Sequence, residues 1–462
     1  MSGVRKRNLP QGTFTAEVTS LDHEGRGVAR LDGRVTFIAD ALPGETVEFK
    51  YLSQRRDQAE GQVTAVLVAS PDRVTPPCEH FGLCGGCALQ HLAPAKQIEW
   101  KQHELMQTLQ RIGKVTPREV APALTAPTLG YRRRARVGVK FVEKKGGTLV
   151  GFRERGCSFL ATLNSCKVLD PRVGEKLTVI ARMIDTLSVR ALIPQIEMAA
   201  SHHVVLVLRV LQPPTEQDRA TLAAFSAEHG FEILLQPGGL NTIEPLEEVL
   251  TDGSRRPGER WPLHYSPDGS DAKLAFEPAD FIQVNGPLSE AMVRQSIEWL
   301  DPQPGDSVLE LFAGLGNFTV PLAKTGAAVT AVEGDKGLVA RGDANCKANG
   351  VGTVQWHVAD LFKPDSQAPY LQAKFDLALI DPPRAGAIEI MPLLIAKKPK
   401  RILYVSCHPA TLARDAALLV EGGYVLTKAG AMDMFPHTSH VESMALFERK
   451  SGGGGRGTGD RA

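Results

Sequence analysis

The feature that most constrains this chain begins near residue 280. Four apolar runs, "SVLELFAG", "AAVTAVEGD", "FDLALIDPP" and "RILYVSC", each end in Gly, Asp, Pro or Cys, with helical stretches between them. Continuous apolar runs alternating with helices specify strands buried on both faces, hence a parallel sheet covered by helices. The carboxyl ends of such strands open into one crevice, where α/β enzymes keep their chemistry. Two further runs, "YVLTKAGAMDMF" and "VESMALFERK", follow without an intervening helix and predict an antiparallel pair.

The preceding residues read differently. Residues 8–70 alternate short apolar runs with Gly and Asp turns, which predicts a small all-β barrel. "SPDRVTPP" is a linker, and residues 78–91 are dense in Cys and Gly. "PAKQIEWKQHELMQTLQRIGKV" (94–115) predicts a helix, with Pro near its start and Gly near its end, expected to pack on the last domain. The chain therefore divides into a barrel (8–70), a central α+β domain (75–270), an α/β domain (276–450) and a flexible tail (451–462).

Charge and cysteine content narrow the function. The 53 Lys and Arg nearly cancel 52 Asp and Glu, which excludes a general nucleic-acid coat protein and confines any RNA contact to local patches. Seven cysteines in 462 residues make no disulfide scaffold. No run approaches the ~20 apolar residues of a membrane span, and "MSGVRKRNLPQG" has no signal-peptide core. A cytoplasmic protein with reduced thiols is expected, with no membrane or obligate protein partner. Metal binding and nucleophilic catalysis remain as roles for cysteine.

In "LELFAGLGNFTVPLA", Gly314 and Gly316 lie between a strand and a helix, where glycine permits a sharp turn and close ligand approach. Glu333 closes the next strand, where a carboxylate can accept both hydroxyls of a ribose. The third glycine of the dinucleotide fingerprint is replaced by Thr319, which disfavours a pyrophosphate and suits S-adenosylmethionine. Asp360 and Asp381 end two later strands. In "IDPPRAG", Arg384 stands where amine methyltransferases carry an aromatic and where cytosine methyltransferases carry a cysteine, so both targets are disfavoured. Cys78, Cys84 and Cys87 follow a C-x5-C-x2-C spacing with Cys166 more distant, a set suited to [4Fe–4S] or zinc.

Taken together, FIQVN (281–285), ELFAGLGNF (310–318), IDPPRAG (380–386), YVSCHPATLARD (404–415) and HTSHVESMALFE (437–448) resemble the RNA uracil-5 methyltransferases over nearly the whole chain. Within that family the barrel and the cysteine cluster most resemble the bacterial 23S rRNA enzymes. The resemblance implies a multidomain fold: an N-terminal TRAM/OB-like barrel, a central iron–sulfur domain and a C-terminal Rossmann-like methyltransferase domain. It implies Cys407 as the nucleophile that adds to uracil C6 and Glu442 as the base that removes the C5 proton. Gln283, Phe312, Asn317, Glu333, Asp360 and Asp381 match cofactor-contacting positions, and Cys78, Cys84, Cys87 and Cys166 match the ligands of a [4Fe–4S] cluster.

A free thiol is only a few per cent ionised at pH 7, so helix amides or cations are expected to help Cys407. Arg132, Arg133, Arg134 and Arg136 are the strongest basic patch and are expected to contact RNA phosphates. The expected partner is a single-stranded or looped segment of 23S rRNA, because the target base must leave any stack. Alternatives are the same chemistry on tRNA, or on more than one rRNA site, and a non-catalytic iron–sulfur RNA-binding protein.

Overall fold

A computed structural model describes residues 9–249, 255–258, 260–352 and 354–450. The expected tail at 451–462 lies outside these residues. The first unit is a six-stranded sheet in the order Phe14–Glu17, Thr46–Gln54, Gln58–Val68, Arg34–Ala39, Gly27–Leu31, Ser20–Leu21. Its period-two apolar residues, among them Ala16, Ala29, Ile38, Val47 and Phe49, point inward to a small core. A side chain at Gly61 would run into the Phe49 ring, so glycine lets that ring pack over the neighbouring strand.

The central unit has a six-stranded sheet in the order Glu244–Pro245, Phe231–Gln236, Val204–Arg209, Gln195–Ala200, Arg134–Val142, Gly147–Gly151. Helix Glu216–His229 makes the crossover between the parallel strands Val204–Arg209 and Phe231–Gln236. Thr215 and Asp218 start that helix as a reciprocal capping box.

The third sheet carries the predicted rhythm. Its eight strands run Val354–Val358, Ala328–Glu333, Ser307–Leu311, Leu377–Ile380, Arg401–Ser406, Glu442–Arg449, Tyr424–Met432, Glu119–Val120. The first five are mutually parallel, and Glu442–Arg449 is antiparallel to both of its neighbours.

The last strand in that order, Glu119–Val120, precedes the central sheet in sequence. Helix Pro94–Thr108 lies against strand Tyr424–Met432 and helix Pro409–Glu421, burying Ile98 and Leu105 in the same core as Leu412 and Tyr404. A π-turn, Leu109–Gly113, ends it, and Lys114 in the left-handed region turns the chain away. Gly113 is required there, since a side chain would run into the Ala413 carbonyl. Thus residues 94–120 lie between the barrel and the central sheet in sequence but belong spatially to the third domain. No described helix is long and apolar enough to cross a membrane.

Candidate active site

At the carboxyl ends of the parallel strands lies a cavity of about 930 Å³. Gln283, Phe312, Gly314, Asn317, Glu333, Asp360, Asp381, Cys407 and Glu442 line it together. Gly316 does not; its φ of +101° serves the turn that brings its neighbours to the cavity. Phe312 itself has φ +63°, a strained conformation for a bulky residue, and its ring stands 5.9 Å from that of Phe362.

Backbone amides fix the acid at the end of Ala328–Glu333. The Glu333 carboxylate accepts from the N–H of Gly314 (3.0 Å), Gly334 (2.7 Å) and Asp335 (3.0 Å). Asn317 Oδ1 accepts from the Tyr265 hydroxyl at 3.1 Å, and Asp360 accepts from the Phe362 amide at 2.9 Å.

The Asp-Pro-Pro-Arg turn is held by the neighbouring cysteine motif. Asp415 accepts from the Ala387 amide (2.8 Å) and the Tyr404 hydroxyl (2.7 Å), and Arg414 donates to the Ala385 carbonyl (3.0 Å). Gly386, at φ +80°, lets this turn lie against Asp415; a Cβ there would stand 2.7 Å from its carboxylate.

Cys407 and Glu442 face each other because of strand register. Strands Arg401–Ser406 and Glu442–Arg449 pair antiparallel up to Ser406 opposite Ser443, so the next position sets Cys407 opposite Glu442. Burial pushes the Glu442 carboxyl up to about 8, and the negative charge of Asp381 adds to it. Burial alone pushes Asp381 up to about 7. The Cys407 thiol rises to about 12, first through burial and then through Glu442 and Asp381, with Arg384 opposing.

This differs from the expectation that cations or helix amides lower the thiol. Helix Pro409–Glu421 does begin just after Cys407 and Arg384 does lower the thiol, but burial, followed by the charges of Glu442 and Asp381, raises it by more. Arg384 is the one Lys or Arg among the described residues lining the cavity, and its guanidinium lies 3.1 Å from His440 Nδ1. The same lining carries four acids, Glu333, Asp360, Asp381 and Glu442.

The four cluster candidates come together elsewhere. Cys78, Cys84, Cys87 and Cys166 line one cavity of about 210 Å³. Burial raises the Cys84, Cys87 and Cys166 thiols, Cys87 to about 12, and the nearby cysteines raise each further. Among the described residues no three His, Cys, Asp or Glu side chains converge tightly enough to share a single metal ion.

The arginine patch is divided. Arg133 is half-buried over the Tyr265 ring and donates to the Gln283 carbonyl at 2.8 Å, so it holds the FIQVN segment. Arg134 donates to the Ala279 carbonyl at 2.9 Å and pairs with Glu197. Arg136 also pairs with Glu197 (2.8 Å) while its side chain stays 66% exposed, and Arg132 lines the cysteine cavity. Arg133 and Arg134 are thus committed within the fold, leaving Arg132 and Arg136 as phosphate candidates.

A profile described as tRNA (Uracil-5-)-methyltransferase matches residues 269–361 and 369–450, and a TRAM domain profile matches residues 12–64. The 23S rRNA (uracil(1939)-C(5))-methyltransferase RlmD of Xanthomonas axonopodis pv. citri (strain 306) is 49% identical over 455 residues, covering 97% of this chain and 100% of the relative. The chain belongs to the RNA uracil-5 methyltransferase family. A second family member, the RlmD of Alkalilimnicola ehrlichii (strain ATCC BAA-1101 / DSM 17681 / MLHE-1), is 47% identical, covering 97% of this chain and 99% of the relative. Among solved structures, the Pyrococcus abyssi tRNA (uracil-54, C5)-methyltransferase in complex with S-adenosyl-L-homocysteine superposes with a TM-score of 0.70 at 22% identity, covering 94% of this chain and all of that one. That likeness shows the uracil-5 methyltransferase fold.

Reasoning from sequence passed over several cavity residues of this family member. Tyr265, Phe435 and His440 line the cavity, while His437 is buried behind it against Gln97. The signal for His440 was present in "HTSH", but the two histidines are equivalent until the backbone shows which faces the cavity.

Proposed function

We propose that the chain methylates C5 of a uridine in 23S rRNA, using S-adenosylmethionine and a transient bond between Cys407 and uracil C6. The observation that carries this reading is the register that sets Cys407 opposite Glu442 on the wall of a cavity also lined by Asp381, Glu333 and Phe312.

The residues present fit the methyl donor. Glu333, fixed by three amides, directs its remaining lone pairs to a ribose diol, and Asp381 offers a partner for a cation. When bound, S-adenosylmethionine supplies an electrophilic methyl on a sulfonium.

The Cys407 thiolate adds to C6, and the electron pair of the C5–C6 bond moves into an enolate that makes C5 nucleophilic. Arg384, the cation beside Cys407, favours the thiolate. After C5 has gained the methyl group, Glu442 takes the C5 proton. The pair from the C5–H bond re-forms the C5–C6 double bond, and the thiolate leaves. A carboxylate whose proton affinity is raised by burial is a stronger base for that step.

The 23S rRNA assignment rests on relatives 47–49% identical over nearly their whole length. We further infer that Cys78, Cys84, Cys87 and Cys166 hold a [4Fe–4S] cluster. Four thiols around a 210 Å³ cavity suit a cluster, in which each sulfur binds a different iron, better than one ion. Binding such a group would require the four thiols to release their protons to solvent.

The test incubates the protein with a 23S rRNA fragment and S-adenosylmethionine, then resolves protein–RNA adducts under denaturing conditions. Wild type is expected to yield 5-methyluridine. Cys407→Ala should give neither product nor adduct, a loss of at least ~10⁴-fold. Glu442→Gln should accumulate adduct and release it slowly. Ordinary turnover by Cys407→Ala would end the mechanism, and methylation of tRNA alone would end the substrate assignment.

A further inference from the structure

The segment from Asp433 to Val441 leads into the strand that begins with Glu442, and it carries Phe435 and His440 into the cavity. Its fasteners come from far upstream. The N–H groups of Ala88 and Leu89, directly after Cys87, both donate to the His437 carbonyl, at 2.8 and 3.0 Å. Gln97 is fully buried and bonds in both directions. Its Oε1 accepts from the His437 amide at 2.9 Å, and its Nε2 donates to the Leu89 and Leu92 carbonyls at 2.9 and 2.7 Å. The Tyr131 hydroxyl donates to the Pro436 carbonyl at 3.2 Å.

His437 has φ +67°, a conformation that a histidine holds only when its surroundings impose it. The cysteine loop and the base segment therefore meet at one residue's peptide groups, with Gln97 bonded to both. A buried amide in this position has no water to fall back on. Any shift of the loop must move His437 or leave polar groups unsatisfied.

We propose that Gln97 is a positioning residue: through the His437 backbone it couples the order of the cysteine loop to the placement of Glu442, Phe435 and His440 in the active-site cavity. The inference rests on reading Glu442 as the base and the four cysteines as cluster ligands.

The test uses full-length, iron-loaded Gln97→Ala, with Tyr131→Phe as a milder variant that removes one hydroxyl from the same segment. Amide hydrogen exchange is followed by mass spectrometry over 433–442 and over 309–318, alongside S-adenosylhomocysteine affinity and the rate of adduct release. For Gln97→Ala, exchange over 433–442 is expected to rise about tenfold or more, with 309–318 unchanged. S-adenosylhomocysteine should bind as in wild type, and adduct release should slow about tenfold at unaltered KM. Tyr131→Phe should shift the same readouts in the same direction by about two- to threefold. Wild type stripped of iron by chelation should reproduce the exchange pattern over 433–442 without any assay of activity.

Unchanged protection of 433–442 in both Gln97→Ala and the iron-stripped protein would overturn the coupling. So would faster exchange spread equally over 309–318, the mark of a residue that only supports folding. If wild type forms no adduct at all, the assignment of Cys407 and Glu442 fails, while the exchange pattern still decides the coupling.

Discussion

The two walls of the active-site cavity are built in opposite ways. On the wall proposed to hold the ribose, Glu333 follows its own strand and is held by the amides of Gly314, Gly334 and Asp335, none more than 19 positions away. On the base wall, the segment before Glu442 is fastened by side chains 332 to 340 positions earlier in the sequence, Lys101 to Asp433 and Gln97 to His437. Local construction predicts that the Glu333 subsite is separable from the rest of the fold. Remote construction makes the base depend on how the whole chain packs, so damage there should appear in stability as well as in rate.

The largest expected effect tests the base wall. Lys101 and Asp433 form an ion pair at 2.7 Å with side chains 0% and 3% exposed, and Lys101 also donates to the Phe435 carbonyl at 3.0 Å. Lys101→Met leaves a buried carboxylate unpaired, which should cost about 3–5 kcal/mol in denaturant unfolding. Adding Asp433→Asn should return much of that loss. A cost under about 1 kcal/mol would show that this wall does not depend on its remote fasteners.

The cofactor wall should answer differently. Glu333→Ala removes one charged acceptor from the cavity, and KM for S-adenosylmethionine should rise about 10- to 100-fold, with Cys407 still forming the RNA adduct. Failure of the adduct in this variant would mean that the two walls are not separable.

The same contrast explains what could be read from the sequence. The strand ends bearing Gly314, Glu333, Asp360, Asp381 and Cys407 were legible because a parallel sheet gathers its carboxyl ends whatever the loops do. The opposition of Cys407 and Glu442 depends on antiparallel register, and only the resemblance to known enzymes pointed to it. Packing of helix 94–115 on the last domain is expected from the sequence, but spacing within the chain does not show which residues fasten it, because they lie more than 300 positions away. Nor does a run of arginines reveal that Arg133 is spent on the Gln283 carbonyl while Arg136 stays exposed. Arg133 lies just before strand Arg134–Val142 and Arg136 within it, and only the folded neighbours of each show which is spent.

The smallest effect follows from the acids where the two walls meet. In the cofactor-free protein, burial raises Asp381 to about 7 and Glu442 to about 8, so near pH 6 the native state holds protons that the unfolded chain has released. Stability is therefore greatest below the unfolded carboxylate range near pH 4, and it falls as pH rises through 7 to 8. Each extra proton is worth at most about 1.4 kcal/mol per pH unit. With both acids still holding protons near pH 6 and losing them toward pH 8, a loss of about 1–2 kcal/mol per unit is expected across that range. The midpoint of thermal unfolding, measured across that range without cofactor, checks the sign. S-Adenosylmethionine should flatten the slope and release protons on binding, because a sulfonium draws both acids down. S-Adenosylhomocysteine, neutral at sulfur, should do so far less. Equal proton release with the two ligands would mean that Asp381 and Glu442 do not face the methyl group, and the cofactor and base walls would then not share one reacting centre.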